Sequence, residues 1–158
     1  RNHPGIVPLM AWQRSLWLVA ALWWGSLTAL GAWVVPLLFA HAPTKAMAGG
    51  LAAHLFSAQA WVGLMGGVFS LLVQRHIDRL RGRPQVPSVL ILAAMLLAVI
   101  VEWGIAPRIL ARDNMLLWHS LSTIFWVLQW ACLAVHVWRL SMPTLDASAP
   151  AFSETNQP

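Results

Sequence analysis

Four long apolar runs separated by short polar stretches dominate the chain, at Ser15–Phe39, Met47–Val73, Pro87–Ala106 and Leu116–Trp138. An α-helix rises about 1.5 Å per residue, so about 20 apolar residues cross a hydrocarbon core about 30 Å thick. Backbone polar groups in lipid must be satisfied within their own segment, so each run predicts a helix. The expected fold is all-α: an integral membrane up-down bundle of four transmembrane helices. Residues 1–14 read as a cytoplasmic N-terminal segment, 15–138 as the transmembrane domain and 139–158 as a cytoplasmic flexible tail. The 40–46 and 107–115 connections are short, which makes the helices they join antiparallel neighbours. The first run is far longer than a secretory h-region of about 7–15 residues, so it reads as a retained span.

Composition agrees with four spans and leaves little mass outside them. The 158 residues are 59% hydrophobic and 9% charged, with a mean hydropathy of +0.66. The formal charge is +5, but the arginines flank the apolar runs, where they set topology and touch anionic lipid rather than nucleic acid. Arg1, Arg14, Arg75, Arg79, Arg81, Arg83 and Arg139 fall on one side of a four-span chain, against Lys45, Arg108 and Arg112 on the other. Short basic loops stay cytoplasmic, so both termini are expected inside. Arg75, Arg79, Arg81 and Arg83 lie in a Gln74–Val86 connection and read as lipid and topology anchors. The single cysteine, Cys132, lies inside the fourth run and excludes an internal disulfide.

Eleven tryptophans and no tyrosine accompany the spans. Trp12, Trp17 and Trp138 fall at the inner interface, and Trp33, Trp103 and Trp118 toward the outer one, where an indole suits the headgroup level. Trp23, Trp24, Trp61, Trp126 and Trp130 lie deeper and are expected to fill helix contacts or to present a surface to lipid, a pigment or another protein, with packing the main expectation. Gly63 and Gly67 give a GxxxG spacing, and Gly25 lies on a small-residue stripe of the first helix. All three are expected at close helix contacts, within the chain or against another chain.

Polar residues inside spans mark functional sites, because each must be solvated by protein or water. His54, Glu102 and His119 fall at one depth near the outer end. Four readings stay open for them. Glu102 bonds to a histidine or to Arg108 and joins helices; the three residues hold zinc, copper or iron; His54 and His119 ligate haem b; or Glu102 carries a proton or solute path. His119, Ser122, Trp126 and Gln129 share one helix face. Neither GxSxG, HExxH nor a phosphate loop is present, so no catalytic residues are expected.

Trp24-Gly25, Val35-Pro36-Leu37-Leu38-Phe39, the glycines at 49 and 50, Leu55-Phe56 and Trp61-Val62-Gly63 resemble the first half of a bacterial four-helix family of unknown function. That family is grouped with the eukaryotic transmembrane protein 205. Glu102-Trp103-Gly104-Ile105-Ala106-Pro107-Arg108 and Trp118-His119-Ser120-Leu121-Ser122 are similar to its second half, so the resemblance covers about residues 15–138. Trp118 stands where the family has leucine, and His54 where it has an apolar or small residue. The resemblance implies an inner-membrane bundle with no assigned enzymatic activity. The function expected is that of a small accessory or structural subunit, surrounded by lipid and other membrane subunits and binding no nucleic acid. A metal- or haem-handling protein and a small-solute or proton transporter are the alternatives.

Overall fold

The computed structural model describes residues 6–84, 88–111 and 114–142. α1 (Ile6–Ala29) runs through a π-helical stretch, Leu30–Val34, into α2 (Val35–His41). α3 (Lys45–Leu80) returns antiparallel to it. α4 (Val89–Val99) passes through a second π stretch, Ile100–Ile105, into α5 (Ala106–Leu110), and α6 (Met115–Ser141) completes the bundle. No strand occurs among the described residues. Leu9–His41, Lys45–Leu80, Val89–Leu110 and Met115–Ser141 are each long and apolar enough to cross a membrane. The helices close into a ring in which α1 touches α3 and α6, and α4 touches the same two.

Both π stretches have a visible cause. Pro36 lacks the N–H that would bond Ala32, and its ring pushes that carbonyl away; Pro107 does the same to Trp103. Each displaced carbonyl falls inside a π stretch, where the wider turn absorbs the clash. Helix starts are capped locally. The Thr44 hydroxyl accepts from the Met47 N–H at 3.2 Å, and Asn114, at φ 28°, accepts from the Leu117 N–H at 3.4 Å.

Two sequence expectations change at the helix ends. The helix containing the first run begins at Ile6, inside the segment read as 1–14. The Gln74–Val86 connection is helical through Leu80, so Arg75 and Arg79 lie on α3 and the loop starts at Arg81. Apolar side chains explain this: Val73 and Ile77 are buried one turn apart and pack with Leu16, extending the core past the last uncharged residue. The flexible tail lies, from residue 143, outside the described residues.

Gly82 stops α3. Its N–H bonds the Arg79 carbonyl at 3.2 Å while the Arg83 N–H reaches back to Asp78 at 2.9 Å, the paired bonds of a Schellman end. This geometry needs the left-handed φ of 62° that Gly82 adopts. Gly82→Ala meets no steric obstacle but costs about 1 kcal/mol of backbone strain. A thermal-denaturation series in detergent is expected to show that modest drop.

The main core joins Trp23 and Leu27 of α1 to Ile91 and Ala94 of α4 and Leu133 of α6. Glycines make this approach possible. A Cβ on Gly63 would sit 2.8 Å from the Trp23 indole nitrogen, one on Gly67 would strike Met95, and one on Gly31 would strike the Trp126 ring. Gly25 faces outward, with nothing within 4 Å of an added Cβ, so no helix of the chain fills its contact face. The close approach in the first span falls at Gly31. Trp61 departs from the packing expectation. It is 55% exposed and stands edge-on to Trp103 at 5.7 Å.

Candidate functional site

Polar side chains stitch the ring at each of its four seams. Ser57 of α3 donates to the Glu102 carboxylate on the second π stretch at 2.5 Å. Gln59 of α3 donates to Ser26 of α1 at 2.9 Å. Across the next seam the Trp130 indole of α6 donates to Thr28 of α1 at 2.8 Å. At the far end Ser88, just before α4, lies 3.5 Å from His136 Nδ1 of α6. Ser26 and Thr28 also donate to the carbonyls of Trp23 and Trp24, at 2.8 and 2.9 Å, so each hydroxyl both donates and accepts. In an apolar surround such interhelical bonds contribute about 0.6 kcal/mol each. Their larger effect is register, since sliding one helix by a turn breaks both seams it takes part in.

The seam at Ser57 and Glu102 concentrates the candidate chemistry, because Glu102 is the only carboxylate within the apolar runs. It is part-buried on a π stretch, a distortion that recurs at functional sites. Its partner is Ser57, not a histidine or Arg108 as the sequence reading allowed. Arg108 instead stacks over the Trp118 ring, 4.3 Å from its centroid.

The depth shared by His54, Glu102 and His119 does not gather them. His54 and His119 are both exposed on their helices. Among the described residues no three His, Cys, Asp or Glu side chains are placed to hold a metal ion together. The same outward placement keeps the two imidazoles from meeting inside the bundle as a haem pair. The physical reason is rotation about the helix axis. At about 100° per residue, His119 and Gln129 stand roughly 80° apart, enough to put Gln129 in the interior and His119 outside. About 20 residues, or about 30 Å, separate His119 from Arg139 and His54 from Arg75. The histidines therefore stand at the opposite boundary of an apolar slab from the arginines.

Two buried polar residues, Ser70 of α3 and His136 of α6, escaped the sequence reading. His136 is 5% exposed, with its Nε2 unpartnered. Gln129, Leu133 and His136 follow an i, i+4, i+7 spacing and are all buried, a pattern legible in sequence as the inward face of α6.

Fold and polar seams together define a four-helix bundle of multi-pass membrane type, tied internally by hydrogen bonds and without strands in its described part. The family model described as "Domain of unknown function (DUF4149)" matches residues 18–115, and the chain belongs to that family. No curated protein and no solved structure matches it.

Proposed function

We propose that this protein is a non-enzymatic accessory subunit of a larger membrane complex, held in a bacterial inner membrane with both termini cytoplasmic. The kinship to eukaryotic transmembrane protein 205 belongs to the same proposal. The observation that carries the reading is Gly25. A glycine inside a helix costs roughly 1 kcal/mol against alanine, and here no contact within the chain uses the space it leaves. Leu18, Leu22 and Gly25 lie at i, i+4 and i+7 on the outward face of α1, with Leu22 72% exposed. Such a notch between leucines suits the backbone of another membrane helix, since association in lipid depends on close packing. The seams inside the bundle already satisfy its own polar side chains at Ser26, Thr28, Ser57 and Gln59, which leaves this face for a partner. Native extraction in mild detergent is expected to recover the chain with stoichiometric partner polypeptides. A lone monodisperse species, both in detergent and in nanodiscs, would contradict it.

Glu102 favours a second reading, proton-coupled solute movement, because a carboxylate in an apolar span is costly without a role. That reading predicts proton flux in liposomes that Glu102→Gln abolishes; equal flux in the variant excludes it.

A further inference from the structure

A cavity of about 790 Å³ opens at the end of the bundle that carries the 81–88 connection, and all four spans contribute to its wall. Its volume falls within the range of small-molecule sites. Three guanidiniums line it, Arg14 of α1, Arg81 at the end of α3 and Arg139 of α6, against one carboxylate, Asp78. Its floor is the apolar cluster of Leu16, Ile77 and Leu140. His136 reaches the same cavity from α6. It is 95% buried by its 5% exposure, and its Nε2 has no partner.

We infer that this cavity binds a phosphate-bearing anion, with Arg14, Arg81 and Arg139 on the phosphate oxygens. Arginine suits this role through its planar, multidentate donor set. The apolar floor beneath a cationic rim matches an anionic phospholipid, whose headgroup phosphate would meet the arginines while its glycerol and first methylenes cover the leucines. Basic pockets between membrane helices take such headgroups. A free phosphate ester presents the same oxygens, and the inference stands apart from the accessory-subunit reading.

The test uses the full chain in phosphatidylcholine nanodiscs, with phosphatidylglycerol and inorganic pyrophosphate as probes, read by native mass spectrometry and thermal shift. Phosphatidylglycerol is expected to be retained over phosphatidylcholine, and Arg139→Gln or Arg14→Gln to weaken retention by about fivefold per guanidinium lost. Lys45→Gln removes the same charge from an exposed position at the far end of α3, outside the cavity, and is expected to change retention less than about twofold. Arg14 is exposed, so its variant keeps the test valid if Arg139→Gln fails to fold. Pyrophosphate that displaces the lipid identifies a soluble phosphate ester as the occupant; lipid that resists it identifies the headgroup. Equal loss in Lys45→Gln overturns the site. So does retention of phosphatidylglycerol no greater than phosphatidylcholine together with no stabilisation by pyrophosphate.

Discussion

Gly63→Leu is expected to unfold or dissociate the bundle, because a buried ring already fills the space above this position. The Trp23 indole lies directly over this position and is itself 2% exposed, packed with Leu27, Ile91, Ala94 and Leu133. Even the first atom of a side chain at 63 would meet a rigid ring at 2.8 Å. The indole cannot swing away, because Gly66 and the α4 and α6 residues enclose it. Overpacking a filled core costs about 1–3 kcal/mol, and a leucine against a rigid ring belongs at or above the upper end. The seam between α1 and α3 would open at the same time, removing the bond from Gln59 to Ser26. Gly67→Leu should cost less, since the obstacle there is the flexible side chain of Met95. The ordering Gly63 worse than Gly67, followed by thermal unfolding in detergent, checks the account; equal losses, or none, would contradict the packing.

Gly25→Leu should do the reverse: leave the isolated bundle intact and abolish its association with a partner. No atom of the chain lies within 4 Å of the added Cβ, so the substitution meets no internal resistance. Leucine also has the higher helix propensity, so the thermal midpoint of the lone protein should hold or rise slightly. A partner helix seated against a glycine, however, is pushed outward by the new side chain. Close backbone approach supplies most of the attraction between helices in lipid, and a displacement of that kind is expected to remove stoichiometric co-purification. Loss of folding in this variant, or unchanged co-purification, would each count against the proposed face.

Span number was legible because the constraint is one-dimensional: length and apolarity suffice to place Ser15–Phe39 or Leu116–Trp138 across a slab. The helix ends were less so. α3 carries Gln74, Arg75, His76, Asp78 and Arg79 beyond Val73, a polar run that composition alone assigns to a loop. Only the one-turn repeat of Val73 and Ile77 marks it as helix. Rotation was the main blind spot. Depth grouped His54, Glu102 and His119, but neighbouring helices decide which face turns inward, and they turned both histidines out while pairing Glu102 with Ser57. Gln59 and Ser26 form a seam for the same reason: neither residue is unusual in its own helix, and each gains meaning only opposite the other. Gly25 shows the same limit: a small-residue stripe marks a contact face in sequence, and only the bundle shows that no helix of this chain fills it.

The claim that the outward face of α1 meets another protein is tested most directly by cross-linking from position 25. A Gly25→Cys chain, carrying a short photo-activated cross-linker and irradiated in its native membrane, is expected to give one discrete adduct with a separate polypeptide. Adducts with lipid alone, from a chain that still folds, would contradict the account.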